Sequence, residues 1–275
     1  MRIEVQKLKR PRISDRVQAA IEVASSRDPD IRELCDLVSA DPVLSAHVVR
    51  YANAPLYRRR VEVTNVRNAV NLLGVKNVRL ALYVVVLRAA RVRSGMAHTL
   101  LWEHTSRIAT FSRLIARHVA SPLADDIELT ALMHDIGAIV LADNFTEEYD
   151  HLMEGHFQGE SLHRLEEVRF GCGHDALLGE LADELRLPGV TRRALERFHS
   201  RDPLFSRTEE WQTHAMVVAL AHHLEQQVME MVSRKVVEEI PEGVETLQTA
   251  LGLSDDEMAG IVERFEELLE TEEMV

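Results

Sequence analysis

Apolar residues recur every three or four positions along most of the chain, which is the period of an α-helix with one buried face. The segment PVLSAHVVRYAN is typical, because its spacing predicts a helix that buries Leu44, Val48 and Tyr51. Asp41 precedes this segment as a candidate side-chain cap, and Pro42 suits the first helical turn. The sequence therefore predicts both the helix and its starting point.

Two apolar segments meet at Gly74. NVRNAVNLLG predicts a helix that closes at this glycine, and VKNVRLALYVVVLRAARV follows immediately. The centre of the second segment is apolar on all sides, which favours a buried helix, with a β-branched strand as the alternative. Its longest apolar run, Leu80–Leu87, is too short to span a bilayer, which takes about 20 apolar residues.

A second group of helices is predicted from about residue 97. WEHTSRIATFSRLIARHV places His104, Ile108 and Phe111 on one stripe, so His104 is expected to point inward. DDIELTALMHDIGAIVLADNF predicts one continuous helix around the adjacent pair His134 and Asp135. The tail segment SDDEMAGIVERFEELLE is acidic and amphipathic, and its apolar face can either pack on the body of the protein or meet a partner. That face consists of Met258, Ile261, Phe265, Leu268 and Leu269.

Composition and charge narrow the class of protein. With 12 Gly and 8 Pro, the chain has few tight turns, which favours helices over many short strands. Two cysteines, Cys35 and Cys172, cannot build a disulfide framework, and no signal peptide is visible, so a reducing cytoplasm is expected. The charge is bipolar: residues 1–120 carry a net +11 and residues 121–275 a net −24. The two parts can dock on each other or be solvated, or the basic part can meet an anionic partner.

Several histidines recur at positions from which their side chains could converge. Neutral imidazoles from several helices, joined by a carboxylate such as Asp135, suit first-row divalent metals. A dinuclear site of this kind can activate water for attack on phosphorus. A lone histidine on an apolar face is more often a hydrogen-bonded core residue, so both interpretations stay open for each position. The candidates are His104, His134, His174, His199 and His222 or His223.

Three motifs in order resemble a known family. ADPVLSAHVVRYANA, AVNLLG and LMHDIGAIVL are similar to the HDOD domain, the HD-related output domain of bacterial signalling proteins, over about residues 12–235. The resemblance implies an all-α fold with a helical N-terminal lobe (1–95) packed on an HD-like helical bundle (96–240), and an acidic helical extension (241–275) follows. It also implies a regulatory role in a bacterial cytoplasm rather than catalysis.

The wider HD superfamily of metal-dependent phosphohydrolases supplies a site pattern. By that resemblance His104 matches the first histidine, and His134 with Asp135 matches the His-Asp doublet. His174 and His199 resemble the additional histidines of the HD-GYP phosphodiesterases. The chain departs from the pattern in two ways. His222 stands in the context of the late metal-binding Asp, and no Gly-Tyr-Pro segment follows His199. The resemblance therefore implies a site degenerate for chemistry yet able to hold Fe, Mn or Zn, with no cofactor required.

Three functions follow as hypotheses. The first is a non-catalytic signal-transduction regulator that binds other signalling proteins or a second copy of itself, and the second is a metal-dependent phosphohydrolase or nucleotide phosphodiesterase. A nucleic-acid regulator is the third, which the overall acidity and the lack of a reader motif disfavour. The loop arginines Arg58, Arg59 and Arg60 are candidates for docking an acidic partner.

Overall fold

The computed structural model describes residues 3–10, 14–54, 57, 62–89, 95–157, 160–198, 208–230 and 243–270. Throughout these residues the regular structure is helical and no strand occurs, so the all-α prediction is confirmed. The chain divides into two compact units. One unit is Pro11–Arg91, and the other combines Met1–Arg10 with Val92–Glu270.

The unit over residues 11–91 is built from short capped helices around one long apolar segment. Asp41 accepts hydrogen bonds from the amides of Val43 and Leu44, and Pro42 occupies the first turn, as the sequence predicted. Leu44 and Val48 are buried, which satisfies the helical spacing of that segment. The helices are α1 (Asp15–Ser25), α2 (Ile31–Ser39), α3 (Pro42–Ala52) and α4 (Val66–Ala89).

Gly74 divides α4 into two segments. Its φ of 72° lies in the left-handed region that only glycine enters freely, so the predicted helix end at this residue is confirmed. The second segment is the predicted buried helix, since Leu80, Leu82 and Tyr83 are at most 1% exposed. By length and composition Val66–Arg88 could cross a membrane, yet 67% of its most apolar stretch is buried inside the protein. That burial is expected for a core helix.

The unit over residues 92–270 surrounds the long helix α5, whose residues His104 to Ala116 are buried without interruption. The first residues of the chain join this unit, since the Ile3 amide donates to the Phe170 carbonyl at 3.0 Å. The helices are α5 (Met96–Val119), α6 (Ala124–Met133), α7 (Ile136–Asn144), α8 (Thr146–Phe157), α9 (Leu162–Phe170), α10 (Leu178–Glu184), α11 (Gly189–Phe198), α12 (Glu210–Glu230), α13 (Val244–Leu251) and α14 (Asp255–Glu270).

The acidic tail helix α14 packs on the body of its unit. Phe265 is fully buried and stacks on Phe111 of α5, with ring centroids 3.6 Å apart and planes 21° from parallel. Met258, Ile261 and Leu268 are also buried. Of the two alternatives left open by the sequence, the structure therefore selects packing on the protein itself.

Candidate metal centre

Five of the six candidate site residues lie together inside the unit over residues 92–270. They come from α5, the α6–α7 junction, a short 3₁₀ turn and α12, and each is at most 2% exposed. The sixth candidate, His199, lies outside the described residues, as do Arg58, Arg59 and Arg60. The five are His104, His134, Asp135, His174 and His222.

The His-Asp doublet stands at a break between two helices. The sequence predicted one continuous helix here, and that prediction is wrong: α6 ends at Met133, α7 begins at Ile136, and Asp135 has φ −106° and ψ 19°. Neighbouring side chains on a regular helix diverge by about 100°. The break removes that divergence, so His134 and Asp135 face the same site.

Three histidines surround the carboxylate of Asp135. The Nε2 atom of His134 lies 3.3 Å from Oδ2, and that of His104 lies 3.8 Å from the same oxygen. The Nε2 atom of His174 approaches Oδ1 at 3.7 Å. Within the described chain, neither Asp135 oxygen makes a hydrogen bond that meets normal geometry. Asp135 is therefore the centre of the cluster.

In each of these three rings the other nitrogen, Nδ1, contacts an oxygen atom outside the cluster. Nδ1 of His134 donates to the Ala131 carbonyl at 2.6 Å, and Nδ1 of His174 donates to Glu166 Oε2 at 2.7 Å. Nδ1 of His104 faces Glu225 Oε1 at 3.4 Å. A neutral imidazole that donates from Nδ1 presents a lone pair at Nε2. This arrangement, a ring oriented by a carboxylate or carbonyl, is the usual support of a metal-binding histidine.

The electrostatics of the cluster fit a bound cation. Lone pairs at Nε2 would face the negative Asp135 carboxylate, which is unfavourable unless a positive charge stands between them. Burial raises the pKa of Asp135, but the positive charge that His134, His174 and His104 carry when protonated outweighs burial and holds that pKa well below its usual range. When the rings are neutral, a bound cation would supply that positive charge instead. The ligand atoms of His104, His134 and His222 lie within 4.8 Å of one another. The residues present therefore fit a divalent metal.

Sequence reasoning missed two buried carboxylates behind the cluster. Glu225 accepts from Arg107 Nε at 2.7 Å, and the nearby His104 and Arg107 lower its pKa although burial alone would raise it. Glu166 bonds the side chain and the backbone amide of His174, at 2.7 and 2.8 Å. One signal was available for Glu225, because it follows His222 by three positions on an otherwise apolar helix face.

Comparisons with known proteins agree with this architecture. The chain superposes on an HDOD domain protein of unknown function from Geobacter sulfurreducens with a TM-score of 0.73 and 22% identity, covering 96% of this chain and 91% of that one. It superposes on a provisionally named signal transduction protein from Marinobacter aquaeolei with a TM-score of 0.74 and 21% identity, covering 98% of this chain and 60% of that one. For a provisionally named phosphohydrolase from Shewanella amazonensis the TM-score is 0.69 and the identity 18%, with 96% of this chain and 92% of that one covered.

Identities this low establish a common fold and nothing about activity. No protein with a curated description matches the sequence. The family model for the HDOD domain matches residues 11–201, which is more than half of the chain. The matched range includes the helical unit over residues 11–91 and four of the five clustered candidate residues. This chain belongs to the HDOD domain family.

Proposed function

We propose that this protein is a non-catalytic signal-transduction regulator whose buried histidine cluster holds a divalent metal as part of its structure. The observation that carries the proposal is the enclosure of the cluster, because His104, His134, Asp135 and His222 are 0% exposed and His174 is 2% exposed. Attack on a phosphate ester requires the phosphorus to come within about 3–3.5 Å of the nucleophile. A nucleotide would have to displace the groups that enclose these ligands in order to approach that closely.

The donor set supports metal binding. Imidazole nitrogens with a carboxylate suit Fe, Mn and Zn, and the hydrogen bonds at Nδ1 orient the rings before any ion arrives. When bound, such an ion would supply a positive charge next to Asp135. The residues that would hold it are His104, His134, Asp135 and His222, with His174 on the far side of the carboxylate.

The carboxylates near the cluster support a structural role over a hydrolytic one. His222 stands where the HD pattern has its late Asp, so that position brings no negative charge to a metal. Glu225, one helical turn further on, is engaged by Arg107 at 2.7 Å. A base for water activation needs an accessible carboxylate or imidazole, and the enclosed carboxylate of Glu225 is instead engaged in an ion pair.

A metal-dependent phosphohydrolase is the second candidate function. The observation in its favour is the convergence of His104, His134 and Asp135, which is the same donor set that a hydrolytic centre would use. The two functions differ in turnover, which a direct assay separates.

The experiment is a hydrolysis screen on the metal-loaded protein. Cyclic dinucleotides, nucleoside phosphates and a chromogenic phosphodiester are incubated with wild type, with His134→Ala and with His151→Ala, the last being an exposed histidine on α8. We expect no turnover above the His134→Ala background with Mn²⁺ or Fe²⁺. Turnover in wild type and His151→Ala that disappears in His134→Ala would establish the phosphohydrolase instead.

The supporting carboxylates allow a second test of the metal site. Glu166→Gln keeps the size of the side chain but removes the charge that orients His174. Loss of such a partner typically lowers metal affinity by about 10–100-fold. Glu167→Gln, one position further along α9 and exposed, is the matched control and should bind metal like wild type. Equal affinities in both variants would remove Glu166 from the site.

Partners and location are further parts of the proposal. We expect the protein to act by binding other signalling proteins. A second copy of the chain is a specific candidate partner, bound through Arg58, Arg59 and Arg60. Reversal of all three arginines to Glu should weaken self-association and partner capture at low salt, and unchanged binding would assign them to a solvated loop. A cytoplasmic location is supported by the two free cysteines, Cys35 and Cys172, and cell fractionation tests it.

A further inference from the structure

A cavity of about 420 Å³ lies between α3 and the second segment of α4, within the unit over residues 11–91. His47, Arg50 and Tyr51 are spaced at three and four positions on α3, so they share one face, and Val84 and Arg88 share a face of α4 in the same way. His47, Tyr51 and Val84 are buried, while both arginines are exposed at the cavity wall. We call this the α3–α4 cavity.

Among the residues that the structure describes, the charged residues lining the α3–α4 cavity are two arginines. Arg50 and Arg88 both line it, and no Asp or Glu is among the lining residues that the structure describes. Burial lowers the pKa of Arg88, and the positive charge of Arg50 lowers it further. Like charges held on facing walls repel each other, and an anion between them would relieve that repulsion.

A buried hydrogen-bond donor stands in the same wall. Arg50 Nη2 donates to His47 Nδ1 at 2.8 Å, so this imidazole accepts at Nδ1 and carries its proton at Nε2. His47 is 7% exposed, and its Nε2 makes no hydrogen bond within the described residues. Burial and the charges of Arg50 and Arg88 lower the pKa of His47 to about 4, which keeps the ring neutral at physiological pH. The hydrogen bond to the neutral His47 ring fixes the Arg50 guanidinium in the cavity wall.

We propose that the α3–α4 cavity binds an organic phosphate of about mononucleotide size. Arg50 and Arg88 contact the phosphate, because a guanidinium group matches phosphate oxygens with paired donors. His47 orients the Arg50 guanidinium through the hydrogen bond at Nδ1. Tyr51 and Val84 supply an apolar wall for the organic portion, and the volume of the cavity falls in the range of small-molecule sites. Such a ligand would give this regulator an input that does not involve the histidine cluster.

Calorimetric titration of the whole 275-residue chain tests the proposal with AMP, GMP, inorganic phosphate and adenosine as probes. Saturable binding of at least one nucleotide is expected, at least tenfold weaker in Arg50→Gln and in Arg88→Gln. Arg67→Gln removes the same charge from an exposed position of the same unit, away from the cavity, and should bind like wild type. His47→Phe keeps a ring but loses the Nδ1 acceptor that holds Arg50, and should also bind more weakly.

The opposite results are equally defined. The proposal is overturned if neither nucleotide binds, or if binding is unchanged in both Arg50→Gln and Arg88→Gln. Binding of inorganic phosphate alone would refute the size of the ligand, and equal binding of adenosine would refute the role of the phosphate. Circular dichroism of each variant shows whether it is folded. If Arg50→Gln or Arg88→Gln fails to fold, the lysine substitution at that position replaces it, and weaker binding is again expected because lysine lacks the paired donors.

Discussion

Truncation of Phe265 should unfold the bundle more readily, because this residue fixes the acidic helix α14 to α5. Phe265 is 0% exposed, and its ring stacks at 3.6 Å on Phe111, which is also fully buried. Phe→Ala substitutions in cores typically cost about 3–5 kcal/mol, the sum of lost burial and a residual cavity. Phe111 lies two helical turns from His104 on the same helix, so the perturbation also reaches the helix that carries a candidate metal ligand.

Urea unfolding followed by tryptophan fluorescence isolates this effect. Both tryptophans, Trp102 and Trp211, belong to the unit over residues 92–270, so the signal follows that unit rather than the other. Phe265→Ala should lower its free energy of unfolding by about 3–5 kcal/mol at an unchanged m-value. Glu266→Ala, exposed on the same helix, should stay within about 0.5 kcal/mol of wild type. A cost below about 1 kcal/mol for Phe265→Ala would refute the packing of α14 on α5.

Two further perturbations test the packing at Gly137 and the protonation of the buried Glu128. A Cβ at Gly137 would clash with the carbonyl oxygen of His174. Gly137→Ala should therefore destabilise the protein by about 1–3 kcal/mol in thermal melts and weaken metal binding. Gly260 is exposed with open space around it, so Gly260→Ala is the control and should be neutral or stabilising. Burial raises the pKa of Glu128 to about 7 in spite of Arg113, so the folded state holds the extra proton and stability falls as pH rises from about 4.5 to 7. Glu128→Gln should reduce the change in free energy of unfolding between these pH values by up to about 3 kcal/mol. If the free energy of unfolding of the variant and of wild type changes equally with pH, the protonation of Glu128 in the folded state is excluded.

The regular parts of the fold were predictable from the sequence because their causes are local. The cap at Asp41, the helix end at Gly74 and the buried segment after it depend on neighbouring residues alone. The break at His134 and Asp135 was not predictable from periodicity, since apolar residues keep helical spacing on both sides of the doublet. Contacts of His134 and Asp135 with residues of other helices accompany the break, and periodicity along the sequence does not report such contacts.

The candidate site divides along the same line. The motif resemblance was sufficient to name the histidines and Asp135 as candidates, but the carboxylates behind them come from distant positions. Glu166 and Glu225 belong to α9 and α12, and only the packing of those helices shows which imidazole each one faces. The α3–α4 cavity was invisible for the same reason, because His47 becomes notable only once Arg50 and Arg88 share its wall.

Metal stoichiometry tests the central claim most directly. Purified wild type, His134→Ala and His151→Ala are each loaded with Fe²⁺, Mn²⁺ or Zn²⁺, dialysed, and analysed for bound metal by mass spectrometry. The arrangement of Nε2 lone pairs around Asp135 predicts a retained divalent ion in wild type and His151→Ala, and its loss in His134→Ala. Wild type that retains no ion, or equal retention in all three proteins, would contradict the account.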